Sequence, residues 1–154
     1  VEDKAIHDEM THRLAIVGFA NGTANSYYQE NENTELFIGS QQYKYNTSNE
    51  NYAKAFQNVK QKSGKDNINA SINALTAGGA TRADLGIDMA NKIFENNKIP
   101  NGENRKRVIV MFTDGEPNDF NNFQQNFKSG VRIIVIISVF QTEDASAILV
   151  LRSK

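Results

Sequence analysis

The apolar residues of this chain fall into short, dense runs separated by long polar stretches. Residues 108–112 (V-I-V-M-F) are five in a row, preceded by Lys106 and Arg107 and followed by Thr113-Asp114-Gly115-Glu116-Pro117. An unbroken run of that length, closed by turn residues, predicts a strand buried on both faces, as in the middle of a parallel sheet covered by helices. Residues 13–20 (R-L-A-I-V-G-F-A) predict a second strand, ended by the Asn21-Gly22 turn signal, and residues 131–140 (V-R-I-I-V-I-I-S-V-F) a third. Residues 35–38 are a short strand candidate. The segments 21–33 and 39–49 are polar and predict loops, with Tyr43 and Tyr45 able to hold the second loop to the body.

Between these runs the apolar spacing becomes helical. Val1, Ala5, Ile6 and Met10 predict the last turns of a helix. Tyr52, Ala55, Phe56 and Val59 predict a short amphipathic helix, broken by Lys62-Ser63-Gly64-Lys65. Ile68, Ile72 and Leu75 predict another, stopping at Thr76-Ala77-Gly78-Gly79. A stronger helix carries Leu85, Ile87, Met89, Ala90, Ile93 and Phe94. Thr81 opens it, with Asp84 three residues on in a capping-box-like start. Ile99-Pro100-Asn101-Gly102 then leads to the central strand. Phe120, Phe123 and Phe127 predict a helix, and residues 143–151 fit either a last helix or, over 148–151, a strand. Alternating strands and helices predict a three-layer, doubly wound α/β domain with a mostly parallel sheet and right-handed crossovers. The 154 residues suit one domain, 1–154, with no internal repeat and no linker.

Composition narrows the function. The net charge is -1 and the basic residues are scattered, which argues against nucleic acid or an anionic membrane surface as the main partner. No apolar run approaches the roughly 20 residues of a membrane span. Val1-Glu2-Asp3-Lys4 has no signal-peptide character. Cysteine is absent, so disulfides and thiolate metal sites are excluded. The 20 asparagines favour turns and wet loops. They also make the three N-x-[ST] sequons, at Asn21, Asn46 and Asn69, unremarkable as chance matches.

Three residues stand out chemically. Asp114 is delivered to the carboxyl end of a strand, the edge where ligands bind in open α/β sheets. A strand-end Asp is often only a turn residue or helix cap. Here Gly115 permits a sharp turn and Glu116 adds a second carboxylate, giving an oxygen-rich loop suited to a hard cation. Thr81 serves as a helix cap on the plainest reading. After the flexible Gly78-Gly79 pair, its hydroxyl is also free to address a ligand at the same edge.

The combination of "GGATRADLGIDMANKIF" and "RKRVIVMFTDGEPND" resembles the von Willebrand factor type A domain. "HRLAIVGFA" is similar to an early strand of that family and "VRIIVIISVF" to a later one, so the likeness spans roughly residues 12 to 140. It implies a metal-ion-dependent adhesion site at the carboxyl edge of a doubly wound sheet. Thr81 would be the threonine ligand and Asp114 the aspartate of the last metal loop, with Glu116 in the outer shell or facing a partner. Mg²⁺ or Mn²⁺ would keep one position open for an acidic side chain of a protein partner. The family's first metal motif, D-x-S-x-S, is missing. The nearest string, Asp144-Ala145-Ser146-Ala147-Ile148, lacks its final serine. The expectation is therefore an abridged domain whose first strand is absent, whose neighbouring strands lose ladder partners unless they close up or pair with another chain, and whose cation site is incomplete.

An enzyme is the competing class. His7 and His12 are the only histidines, no G-x-S-x-G elbow occurs, and Ser63-Gly64-Lys65-Asp66 lacks the first glycine and following hydroxyl of a phosphate loop. The reading is thus non-catalytic: a bacterial-type, exported or cell-surface adhesion and protein-binding module. The alternative is an intracellular accessory subunit of a chelatase-type ATPase.

Overall fold

A computed structural model describes residues 12–19, 34–76, 82–103, 105–113, 120–128, 131–137 and 148–153. The expected N-terminal helix lies outside them. The described strands are β1 (Arg13–Phe19), β2 (Thr34–Ile38), β3 (Gln41–Lys44), β4 (Gln57–Asn58), β5 (Arg107–Thr113), β6 (Val131–Ile137) and β7 (Ile148–Ser153). The helices are α1 (Asn49–Ala53), α2 (Lys62–Ala74), α3 (Ala83–Glu95) and α4 (Phe120–Gln125). All seven strands form one sheet in the order β3-β2-β1-β7-β5-β6, with β4 also paired to β1.

The expectation of a mostly parallel sheet is corrected. Only β5 and β6 pair in parallel; β1–β2, β2–β3, β1–β4, β1–β7 and β5–β7 are all antiparallel. Apolar runs report burial but not the direction of the neighbouring strand, so the sequence pattern fits either sheet. β7 lies between β1 and β5 and pairs with both. The strand alternative for 148–151 is thus the observed one.

Helices cover both faces. Ala15, Val17 and Phe19 of β1, Leu36 of β2, and Ile109 and Met111 of β5 form one core with Ala83, Ile87, Met89, Ala90, Ile93 and Phe94 of α3. Full burial of a side chain such as Phe19 contributes about 1.5–3 kcal/mol. On the opposite face Leu14 packs with Val59 and with Ile68 of α2. β5 is not buried on both faces as expected: Ile109 and Met111 are enclosed, Val108 and Val110 are half-buried, and Phe112 is 39% exposed.

Three local readings also change. The loop 39–49 contains β3, which folds back on β2 through a turn in which Gly39 takes φ +61°, a conformation L-residues avoid. The helix expected over 52–59 is only α1, capped by the Ser48 side chain; Ala55 is wholly buried and the chain is extended again at β4. Lys62-Ser63-Gly64-Lys65 does not break a helix but starts α2, because Gly64 lets the first turn lie against the Asn58 backbone.

Candidate site at the carboxyl rim

Thr81, Asp114 and Glu116 themselves lie outside the described residues, as does Asp144. Their chain neighbours Arg82 and Thr113 are described and fix where each approach begins. β1 and β5 both end at one rim: Gly18 and Phe112 are each the Cα partner of Ile148, on its two sides. α3 runs against these strands. Near its start, a Cβ on Gly86 would stand 3.0 Å from the Phe19 ring, at the end of β1. Near its finish, the Phe94 carbonyl accepts from Arg107 Nη2 at 3.2 Å, at the beginning of β5. From Phe94 back to Ala83 the helix climbs roughly 16 Å at 1.5 Å per residue. That matches about five residues of strand at roughly 3.3 Å each, the level of Phe112. The N-terminus of α3 and the C-terminus of β5 therefore reach the same rim.

The chain beyond β5 returns to the same place. Asn126 Nδ2 donates to the Asp84 carbonyl at 2.8 Å, and Asn91 Nδ2 donates to the Asn126 carbonyl at 2.8 Å. Asn126, just after α4, thus lies against the first turn of α3.

The capping box expected from Thr81 and Asp84 lies partly outside the described residues, because Thr81 does. Arg82 holds the N-cap position without a side-chain cap bond. Asp84 instead faces the Arg82 guanidinium, with Nε–Oδ1 2.7 Å and Nη2–Oδ2 2.5 Å. Both residues are buried, at 5% and 2% exposure. A two-pronged, charge-assisted contact of this kind satisfies both carboxylate oxygens and fixes the start of the helix. The sequence did not reveal this pair, because i,i+2 charges face each other only when one lies outside the helix.

A polar network continues along α3. The Tyr45 hydroxyl donates to Asp88, Lys92 sits 4.2 Å from the Tyr45 ring centroid, and Lys92 Nζ reaches Asp88 at 3.0 Å and Asn46 Oδ1 at 2.8 Å. Burial first, then the Asp88 bond and charge, hold the Tyr45 hydroxyl well above the usual tyrosine range. Tyr45 thus does what the sequence suggested, tying the 39–49 excursion to the body.

Among the described residues no group of three or more His, Cys, Asp or Glu is placed to hold a metal ion. No described helix is long and apolar enough to cross a membrane. His12, read from the sequence as surface or core edge, is fully buried.

Residues 45–116 match the family model described as the von Willebrand factor type A domain. The match takes in a little under half of the chain, from the end of β3 to just past β5, and includes Thr81, Asp114 and Glu116. It supports a von Willebrand factor type A domain here, of a family that often mediates protein interactions. Comparison with curated proteins gives no match, and comparison with solved structures gives none either.

Proposed function

We propose that this chain is a protein-binding adhesion module, displayed outside the cell, that engages its partner at the carboxyl rim of the sheet. Thr81 and Asp114 would supply protein oxygens to a Mg²⁺ or Mn²⁺ ion there. Glu116 stands in the outer shell or faces the partner. When bound, the ion would accept an acidic side chain of the partner into its open position. The observation that carries this reading is the shared rim: Arg82, next in sequence to Thr81, opens α3 at the level where β5 ends in Thr113, next in sequence to Asp114.

The same geometry argues for weak cation binding. Mg²⁺ prefers six oxygens and releases water reluctantly, and one hydroxyl with one carboxylate is a sparse set. The N-terminus of α3 also carries partial positive charge, which opposes a cation close to it. The Asp84 carboxylate is engaged by the Arg82 guanidinium through both oxygens. Calorimetric titration with Mg²⁺ and Mn²⁺ on the wild type and Asp114→Ala tests the metal part. A weak wild-type isotherm lost in the variant supports it; identical flat isotherms would remove it.

A further inference from the structure

The opposite, amino edge of the sheet carries a cluster that the rim does not use. Arg13 and Arg107 are both Cα partners of Ser153, so they stand on the same face, flanking one strand. Two aromatic rings lie between them. Arg13 Cζ is 5.2 Å from the Phe56 ring centroid, Phe56 and Phe94 are 5.7 Å apart, and Arg107 Cζ is 5.4 Å from the Phe94 centroid. Stacking of this kind holds guanidinium planes in place and leaves their edges to bond.

Arg105, two residues before β5 reaches Arg107, joins the cluster. Its Nε donates to Glu103, and its charge acts on Arg13. Burial, and after it the Arg105 charge, lower the Arg13 pKa, only partly opposed by Glu103. Among the described residues the acids only partly offset this charge: Glu103 pairs with Arg105, Glu95 is held by Lys128, and the adjacent Lys106 is exposed and adds charge. Two donors are shielded from water with no acceptor among the described residues, Arg13 Nε and Arg105 Nη1. Buried guanidinium N–H groups are ordinarily bonded, so two such donors on arginines whose charges act on one another mark a place for an acceptor.

We propose that this amino edge is an oxyanion-binding site, in which Arg13 and Arg105 donate to one carboxylate or phosphate and Arg107 adds a third positive charge. A guanidinium fork matches either anion in shape. The site is independent of the rim and of any cation bound there.

The test follows the Arg13 Nε–H resonance by NMR in the full chain during titration with inorganic phosphate and, separately, glutarate. Saturable shifts with Kd on the order of 1–10 mM are expected for at least one of them. A response to phosphate alone points to a free or esterified phosphate. A response to glutarate points to an acidic side chain of a partner. Arg105→Gln, in the connection before β5, should weaken binding about tenfold, while the exposed-site control Lys106→Gln should change it less than about twofold. No saturable shift with either anion overturns the proposal, as does equal loss in the Lys106→Gln control or full binding by Arg105→Gln.

Discussion

Gly18 and Phe112 face the same residue, Ile148, from opposite sides, although 94 positions separate them in sequence. One antiparallel strand thereby aligns the ends of β1 and β5. α3 docks across that aligned edge through Gly86 and Phe19, which brings Arg82 to the level of Thr113. The proposed function depends on this alignment rather than on any single contact.

The Arg82–Asp84 pair fixes the start of α3. Breaking a buried pair leaves an uncompensated charge and costs about 3–5 kcal/mol, whereas replacing both partners with apolar residues of similar size costs much less. Urea denaturation of Arg82→Met, Asp84→Leu and the double variant checks this. The expected order places both single variants well below the double. Single variants as stable as the wild type would mean that the pair is not buried in solution.

Gly64 is required by packing rather than by backbone angle. A Cβ there would lie 2.0 Å from the Asn58 carbonyl oxygen, a backbone atom unable to swing aside. Alanine in an open helix position is worth about 1 kcal/mol over glycine. Here the overlap reverses that sign, and Gly64→Ala should lose about 1–3 kcal/mol. The midpoint of chemical denaturation gives the answer directly.

Tyr45 makes the fold sensitive to alkali. Its hydroxyl pKa is raised in the folded chain, so the stabilising effect is complete below the ordinary tyrosine value of about 10. It is lost as pH rises from there towards the folded pKa, because the unfolded chain releases its proton first. Stability should therefore fall above about pH 10, and the fall should be shallower in Tyr45→Phe. Parallel pH profiles for the two proteins would show that Tyr45 is neither buried nor bonded to Asp88 in solution.

Much of the secondary structure was legible in the pattern. β1, β2, β5 and α3 lie close to where their apolar spacing put them, since long periodic runs encode burial directly. Strand direction was not legible, because a run such as 131–137 looks the same beside a parallel or an antiparallel neighbour. β3 was hidden in a polar hairpin of edge residues, and the role of Gly64 appears only once Asn58 is beside it. Thr81 and Asp114 were legible as candidates, and both lie outside the described residues. The Arg82–Asp84 pair was not legible, because it depends on Arg82 standing just outside the helix. The amino-edge arginines, far apart in sequence, gave no local signal.

Paramagnetic broadening by Mn²⁺ tests the central claim most directly, because the effect falls steeply with distance from the bound ion. Mn²⁺ added to isotopically labelled chain should broaden the amide resonances of Arg82 and Thr113 together and leave those of Arg13 and Arg107 sharp. The broadening should vanish in Asp114→Ala and weaken in Thr81→Ala. Broadening at only one of Arg82 and Thr113, or centred on the amino edge, would contradict a shared site at the carboxyl rim.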